Sequence, residues 1–438
     1  MTGSDIYQRP AELLQNLIRF NTTNPPGNER QCIEYLNGLL KEVGIETTLV
    51  AKTPERPNLI ARLKGDGKAP PLLLYGHVDV VTAQNQPWSH PPFDGLIQDG
   101  YIWGRGALDM KSGVAMLLAA FLQAKAQHLP LPGDVIFCAV ADEEAGGDFG
   151  SNFLVNENPG LFKDVKYAFG EFGGFNMSMG GKTIYPIMVA EKQCCWMEAV
   201  FHGKGGHGSM PVQHQAMAKA ARALRLIDEQ RMPFHLTPAV QLMFTSIAHA
   251  LGGVSGFAIR GLCNPILADT VLKIIGERGS LFAPLVHNTI SPTILTASDK
   301  INVIPSRVSI GLDGRLLPGY TPSDMENELR AFLGTDFELE IKVFDPGPSS
   351  VDMGLFDMLS SVIRESDPRG IPIPYVLGGV TDARFFSKLG IQTYGFTPLK
   401  LPDDFSFVST IHAADERVPV AALEFGVKTI ISALQKFH

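Results

Sequence analysis

The chain has 438 residues, of which 45% are hydrophobic and 19% are charged, and its formal net charge is −8. A chain of this length exceeds one ordinary hydrophobic core, so we expect two domains of a globular protein. The negative charge, with no block of like charges, excludes a nucleic-acid-binding or anionic-membrane surface, which needs clustered lysine and arginine.

The cysteines and the first residues indicate the compartment. There are five cysteines, an odd number, and no two of them form a C-x-x-C pair. A chain this long needs no disulfides. The segment MTGSDIYQRPAELLQ has no apolar run preceded by positive charge, so it does not have the pattern of a secretory signal. We therefore expect a cytoplasmic protein.

The first third of the chain alternates between helix and strand patterns. Apolar residues at helical spacing predict helices at 13–18, 29–43 and 111–126. Apolar and β-branched runs predict strands at 46–50, 58–63, 71–75 and 135–140. The strand at 71–75 is apolar nearly throughout, as expected of a central strand covered on both faces.

The pattern changes after Glu171 and returns near the end of the chain. Strands are predicted at 184–191, 194–202, 289–297, 308–316 and 338–343, and helices at 216–228 and 322–333. We predict an α/β fold with a mixed sheet and helices on both faces, formed by residues 1–185 and 347–438. An inserted α+β domain, residues 186–346, interrupts it.

The inserted domain contains an unusually apolar segment near residues 232–285. Residues 232–259 include no Asp, Glu, Lys or Arg. A membrane span needs about 20 mostly apolar residues, but polar residues and glycines interrupt this stretch, among them Pro238, Gln241 and His249. We favour a buried or interface helix over a membrane-associated segment, and we expect no membrane span.

Five short segments concentrate side chains that can bind metal ions. They are residues 75–80, 104–111, 141–147, 170–174 and 410–416. The first and third follow predicted buried strands, and open α/β sheets bind ligands at the carboxyl ends of strands. Their histidines and carboxylates suit zinc. Two histidines and three carboxylates suffice for two metals only if one carboxylate bridges, and Asp109 is the natural bridge.

Each segment alone has a plainer interpretation. The His-Val-Asp at 77–79 fits a structural strand end, and Asp109 before a helix fits an N-cap. Residues 143–144 fit a solvated acidic turn, and neither Glu171 nor His412 is distinctive by itself. The order of the segments, their placement at strand ends and the surrounding glycines favour the metal site.

Together the segments resemble the zinc aminoacylase/carboxypeptidase family, which includes glutamate carboxypeptidase, acetylornithine deacetylase and succinyl-diaminopimelate desuccinylase. The resemblance covers essentially the whole chain through GHVDVV, WGRGALDMKSG, DEEAGG, GEFGG, GHGSMP, NVIP, DGRLLPG, GGVTDARFF and the late histidine. It implies a dinuclear-zinc hydrolase that cleaves an amide bond beside a free carboxylate. It also implies that the inserted domain is a lid and a dimerisation domain, which favours a homodimer.

The resemblance implies two zinc ions with defined ligands. His77, Asp109 and Glu171 are expected to hold one zinc, and Asp109, Glu144 and His412 the other. Cobalt or manganese would also suit these ligands. The peptide bond after the bridging aspartate is often cis in this family.

Two further acidic residues receive roles from the resemblance. Asp79 is expected to accept a hydrogen bond from the far nitrogen of His77 and so to fix its tautomer. Glu143 is expected to be the general base that takes a proton from water and delivers it to the leaving amine.

Five residues outside the metal segments also match the family. His207 is expected to stabilise the oxyanion, and in dimeric relatives this histidine comes from the partner's inserted domain. Asn302 and Arg315 resemble substrate-contacting positions, since arginine grips a carboxylate with two hydrogen bonds. Gly378 and Gly379 are expected to offer backbone N–H groups. The plainer alternatives are a loop histidine, a structural salt bridge and a turn.

The expected substrate is an N-acyl amino acid or a short peptide cleaved at its C-terminus, and the sequence does not separate these two. We hypothesise that the segment 232–285 lines a pocket for a bulky or fatty acyl group. The alternative function is a catalytically silent binding protein on the same fold. The complete set of ligands together with a base disfavours that alternative, and the absence of phosphate-binding glycine motifs after strands disfavours redox or phosphoryl-transfer chemistry.

Overall fold

The protein is represented by a computed structural model that describes residues 3–276, 279, 282–348 and 350–438. Contacts divide it into two compact units. Unit 1 contains the chain up to Val189, Val351–Tyr375 and Thr381–His438, and unit 2 contains Ala190–Ser350 and Val376–Val380. The predicted boundaries, 185/186 and 346/347, each lie four residues before the observed ones, 189/190 and 350/351. Residues 376–380 belong to unit 2, whereas the prediction places them in the α/β domain. Residues 277, 278, 280 and 281 of the predicted apolar segment lie outside the described residues.

The first part of unit 1 alternates between helices and strands. Its helices are α1 (Pro10–Arg19), α2 (Arg30–Glu42), α3 (Lys111–Ala126) and α4 (Ser151–Glu157). Its strands are β1 (Thr47–Ala51), β2 (Pro57–Leu63), β3 (Leu72–His77), β4 (Leu96–Gln98), β5 (Tyr101–Trp103), β6 (Val135–Val140), β7 (Tyr167–Gly170), β8 (Met177–Met179) and β9 (Lys182–Glu191), whose last two residues belong to unit 2.

Unit 2 combines an antiparallel sheet with five described helices. Its strands are β10 (Gln193–His202), β11 (Gly206–His207), β12 (Thr289–Thr296), β13 (Val303–Ile304), β14 (Arg307–Leu316) and β15 (Glu338–Asp345). Its helices are α5 (Ala216–Glu229), α6 (Pro238–Leu251), α7 (Gly253–Gly261), α8 (Ala268–Ile275) and α9 (Pro322–Leu333). The sheet order is β12-β14-β10-β15, and α5 and α9 pack on it through one apolar cluster.

The last part of the chain completes unit 1. Its helices are α10 (Phe356–Ser366), α11 (Ala383–Phe386), α12 (Phe407–Thr410) and α13 (Val420–Leu434), and its strands are β16 (Ile371–Leu377), whose last two residues belong to unit 2, β17 (Gln392–Gly395) and β18 (Arg417–Pro419). In the described part of the chain, nine strands form the main sheet. Their order is β1-β2-β6-β3-β7-β17-β9-β16, with β8 beside β9.

The main sheet is mixed and covered on both faces, which confirms the predicted fold class. Strand β3 pairs in parallel with β6 and β7, whereas β2 pairs with β6 in antiparallel fashion. Leu72 and Leu74 belong to an apolar cluster with residues of α1, α3 and α13. Leu73 and Tyr75 belong to the cluster with α4 and α11. Successive residues of a strand point to opposite faces, so β3 is central and buried on both sides.

The uncharged stretch of unit 2 folds as short helices. Helix α6 begins after Thr237, whose side chain accepts a hydrogen bond from the backbone of Val240, and it buries Met243, Phe244 and Ile247. Among the residues that the structure describes, none of the helices has the length and hydropathy that crossing a bilayer requires.

A three-stranded sheet of short strands was not expected from the sequence. In it β5 lies between β4 and β18, and Trp103 pairs with Arg417. Each strand has three residues, too few to show a periodic pattern. The pairing brings the segment after β5 next to the segment before β18, and both segments carry candidate metal ligands.

Replacing either of two helical glycines of unit 1 with alanine should change the free energy of unfolding, in opposite directions. A Cβ at Gly38 in α2 meets no atom within 4 Å, whereas a Cβ at Gly426 in α13 meets Met116 Sδ at 2.1 Å and the carbonyl oxygen of Pro398 at 2.4 Å. Alanine favours helix over glycine by up to ~1 kcal/mol. We expect Gly38→Ala to raise the free energy of unfolding by up to that amount, and Gly426→Ala to lower it by ~1–3 kcal/mol through overpacking. Urea unfolding of the two variants measures both changes, and a shift of the same sign in both would contradict the packing described here.

Candidate metal centre

Three of the predicted segments meet at one edge of the main sheet. His77 is the last residue of β3, Glu171 directly follows β7, and Glu143 and Glu144 lie in a turn shortly after β6. Because β3 is parallel to β6 and β7, the carboxyl ends of these strands lie side by side. This shared edge is where open α/β sheets bind ligands.

Asp109 lies between the two histidines. Its Oδ1 is 3.1 Å from His77 Nε2, and its Oδ2 is 3.1 Å from His412 Nε2. It does not cap α3, whose N-cap residue is Met110 without a side-chain cap. The N-cap interpretation of Asp109 is therefore wrong. The Asp109–Met110 peptide bond is cis, as the family resemblance implies.

The other two carboxylates each face one histidine. Glu171 Oε2 is 3.6 Å from His77 Nε2, and Glu144 Oε1 is 3.4 Å from His412 Nε2. Glu144 Oε1 is buried and makes no hydrogen bond with the described residues. Two triads thus share Asp109. Imidazole nitrogens and buried carboxylate oxygens gathered at these distances fit a pair of divalent cations.

Glu143 lies beside these donors on the His77 side. Glu143, His77 and Glu171 each present a ligand atom within 4.8 Å of the other two. The same is true of His77, Asp109 and Glu144. These distances are compatible with Glu143 as a metal ligand or as a general base.

Asp79 holds the turn that carries both glutamates. Its Oδ1 accepts the backbone N–H of Glu143, and its Oδ2 accepts that of Glu144, each at 3.1 Å. His77 Nδ1 lies 3.0 Å from the main-chain oxygen of Asp79 and 3.5 Å from its carboxylate. The shorter contact of His77 is therefore to the main chain, which differs from the expected carboxylate contact, and the carboxylate instead positions the turn.

A buried polar network behind the turn was missed by the sequence reasoning. Asn24 Nδ2 donates to Asp79 Oδ2 at 2.8 Å and to Asp142 Oδ1 at 2.9 Å. Arg56 pairs with Asp142 at 2.9 Å and with Glu29 at 2.6 Å. The only sequence signal for Asn24 was its place in a loop rich in helix breakers, which suggests a turn rather than a contact with distant acids.

The electrostatics of the cluster follow from burial and close charges. Burial raises the pKa of Asp109, but hydrogen bonds from His412 and His77 outweigh it and hold this pKa below its usual range. The hydrogen bond to Asp109 raises the pKa of His412 to about 10. Burial raises the pKa of Glu171 to about 7. Burial, with the nearby charge of Glu171, raises the pKa of Glu143 well above its usual value.

The remaining predicted site residues belong to unit 2. His207 is exposed on β11, and its Nδ1 lies 2.8 Å from Ser209 Oγ. Asn302 is exposed before β13. Arg315 forms two hydrogen bonds with Asp313, at 2.7 and 3.0 Å, so the alternative of a structural salt bridge is observed in this structure.

Gly378 and Gly379 have space around them in unit 2. A Cβ at either position meets no atom closer than 3.9 Å. This space fits either an approach by a ligand or an open turn, so the proposed backbone donors stay a prediction.

Comparison with models of protein families assigns the chain to one family. The model of peptidase family M20/M25/M40 matches residues 73–436, which is most of the chain. The matched region includes all five predicted metal ligands.

Individual proteins are similar over most of their length. The "Probable carboxypeptidase S-like 2" of Dictyostelium discoideum is 27% identical over 383 residues, which cover 83% of this chain and 71% of that protein. The human "N-fatty-acyl-amino acid synthase/hydrolase PM20D1" is 29% identical over 393 residues, or 84% and 74% of the two chains. The M20 family metallo-carboxypeptidase Sso-CP2 from Sulfolobus solfataricus has a similar fold, with a TM-score of 0.69, 19% identity and coverage of 97% and 98%.

Proton release should accompany metal binding. With a pKa of about 10, His412 is protonated at pH 7 in the metal-free protein, whereas a metal ligand must be neutral imidazole. A cation that takes His412 as a ligand therefore expels this proton, and its affinity should rise as the pH rises from 7 towards 10. Calorimetric titration with Zn²⁺ at pH 7, in two buffers of different ionisation enthalpy, should report release of at least about one proton. Binding heats that do not depend on the buffer would contradict the described contacts of His412.

Proposed function

The chain belongs to peptidase family M20/M25/M40 and is a hydrolase of that family, and we propose that it uses two metal ions to cleave an amide bond beside a free carboxylate. The proposal depends on one observation, the Asp109 carboxylate with a different histidine at each oxygen. A catalytically silent binding protein has no observation in its favour, because every predicted ligand and the neighbouring glutamate are present.

The two proposed metal positions share one ligand. The ligands of the first metal position are His77, Asp109 and Glu171, and those of the second metal position are Asp109, Glu144 and His412. The ligand types suit zinc best, with cobalt or manganese as alternatives. When bound, two such ions polarise the scissile carbonyl and make water more acidic.

Glu143 is the proposed proton carrier. Its carboxylate has an oxygen within 4.8 Å of ligand atoms of His77 and Glu171, so it lies close enough to exchange a proton with a water molecule at the first metal position. It takes the proton from the attacking water and delivers it to the nitrogen of the leaving amine. The hydrogen bonds of its backbone, and of the Glu144 backbone, to Asp79 fix the turn and hence the starting point of the side chain.

Residues of unit 2 are proposed to bind the oxyanion and the substrate. His207, with its ring oriented by Ser209, is proposed to donate a hydrogen bond to the oxyanion. Asn302, Arg315 and the backbone at 378–379 are proposed to contact the substrate. Arg315 must then exchange its contact with Asp313 for one with the substrate carboxylate, or bind while paired.

A homodimer through unit 2 is also proposed. Strand β12 is an edge of the unit 2 sheet, and most of its residues are exposed. Its exposed Ile294 and Leu295 give the edge an apolar character. An exposed, apolar edge strand is a template for pairing with a second copy.

The proposed substrate class is N-acyl amino acids with long acyl chains. The relative named as an N-fatty-acyl-amino acid synthase/hydrolase supports this, and so does the apolar segment of unit 2. Helices α7 and α8 and their connection expose Val254, Phe257, Ile266 and Ile274, each more than 70% accessible. Exposed apolar patches in soluble proteins commonly mark binding surfaces.

Substrate profiling tests the proposed activity. The zinc-loaded protein should hydrolyse N-acyl amino acids, and kcat/KM should rise by ~10-fold or more from acetyl to long acyl chains as apolar area is buried. A chelator should abolish the activity. Changing Val254 and Phe257 to serine should lower only the long-chain rates, and Leu49→Ser, at an exposed apolar residue of unit 1, is the matched control. Preference for short chains or for dipeptides would exclude the fatty-acyl substrate class.

Substitutions of the neighbouring Glu143 and Glu144 should cause different defects. We expect Glu143→Gln to keep both metal ions and to lose ~10²–10⁴-fold in kcat, the usual worth of a general base. Glu144→Gln should weaken the second metal position. Metal analysis after gel filtration, with steady-state kinetics, separates the two. Loss of metal from Glu143→Gln would show that Glu143 is a ligand and that the assignment is reversed.

A further inference from the structure

Asp109 and His412 are far apart in sequence, and a buried ion pair connects the segments that carry them. Arg105 Nη1 lies 2.6 Å from Glu416 Oε2, and both side chains are at most 1% exposed. Burying two charges is costly unless further hydrogen bonds satisfy them. The contacts of this pair therefore show what it holds in place.

Glu416 binds the backbone of the segment that ends in the bridging aspartate. Its Oε1 accepts the N–H of Leu108 at 2.7 Å and of Asp109 at 3.1 Å, and its Oε2 accepts the N–H of Gly106 at 3.2 Å. The segment curves around one carboxylate, so the position of Asp109 depends on that of Glu416.

Arg105 binds the backbone of the segment that carries the histidine. Its Nη1 donates to the carbonyl of Ala413 at 3.1 Å, and its Nη2 donates to that of His412 at 3.2 Å. Gln86 accepts from Arg105 at 2.6 Å and donates to the same His412 carbonyl at 2.9 Å. His412 has a φ of 59°, which is unfavourable for a residue with a side chain, so external contacts are needed to hold it there.

We propose that Arg105 and Glu416 are positioning residues that set the distance between Asp109 and His412, and so control metal affinity most strongly at the second metal position, which has both Asp109 and His412 as ligands. This inference rests on the proposed metal centre and adds to it a control by residues that touch no metal ligand side chain. The first metal position shares Asp109, but β3 and β7 of the main sheet hold its other two ligands, His77 and Glu171, so it depends on the pair through one ligand only.

If the Arg105–Glu416 pair only stabilised the fold, its removal would have a different effect on metal binding. A buried pair that only supports the fold would, on removal, weaken both metal positions together or lower stability without changing either. The contacts here go to the backbone of one ligand of the second position and to its shared aspartate. Residues around a metal site that orient its ligands typically change affinity by ~10–100-fold when replaced.

The test is a Zn²⁺ titration of Glu416→Gln and of Gln86→Ala, with affinities from competition with a chelator. Gln86 is only partly buried, so its variant tests the contact with His412 without removing a buried charge. We expect the ion at the second metal position to lose ~10–100-fold in affinity in Glu416→Gln, with a smaller loss in Gln86→Ala. The ion at the first metal position, which depends on the pair only through Asp109, should lose less.

Ligand variants assign the affected position. In a Glu144→Gln background, where the second position is already impaired, adding Glu416→Gln should cause only a small loss of the remaining affinity. In a Glu171→Gln background, where the first position is impaired, the same addition should cause the larger loss. Equal loss at both positions, or full affinity at both in Glu416→Gln, would overturn the inference.

The control is another buried carboxylate of unit 1. Asp367 accepts hydrogen bonds from Tyr185 at 3.0 Å and from Lys400 at 3.1 Å, and no metal segment takes part. Asp367→Asn should lower the thermal midpoint but leave both Zn²⁺ affinities intact, and a drop in affinity there would reduce the proposed effect to general destabilisation. If the unchanged protein binds only one Zn²⁺, the proposed function fails; if it binds two and Glu416→Gln binds both with unchanged affinity, only the positioning role fails.

Discussion

One carboxylate shared by two histidines is the constraint on which the site depends. The oxygens of Asp109 face His77 and His412 at equal distances, and the carboxylate is nearly buried. A buried acid between two imidazoles has few stable arrangements unless protons or cations lie between the groups. The rest of unit 1 can be understood as the support that brings these three side chains together from β3, from the segment before α3 and from the segment before β18.

The supports differ on the two sides of Asp109. On the His77 side, the proposed ligands extend from central strands whose neighbours are fixed by backbone pairing. On the His412 side, the proposed ligand lies in a loop and is about half exposed. Side-chain contacts from Arg105 and Gln86 hold the backbone there in place of strand pairing. The two proposed metal positions therefore differ in how their ligands are held.

Much of this arrangement could be predicted from the sequence, for identifiable reasons. Apolar runs revealed β3 and β6, and their order placed His77 and the Glu143–Glu144 turn at strand ends, where the structure has them. The chain's motifs indicated the family, which the match over residues 73–436 confirms. The contacts of Asp79 with the turn could not be predicted, because a carboxylate that accepts backbone N–H groups leaves no pattern in the sequence. The same holds for Arg105 and Glu416, which were visible inside motifs but had no partner until the chain was folded.

The central claim is that two cations lie on either side of Asp109, and crystallography with anomalous scattering from bound zinc tests it most directly. The account predicts two anomalous peaks about 3.5–4 Å apart, one between His77 and Asp109 and the other between Asp109 and His412. A single peak, or two peaks that do not have Asp109 between them, would contradict it.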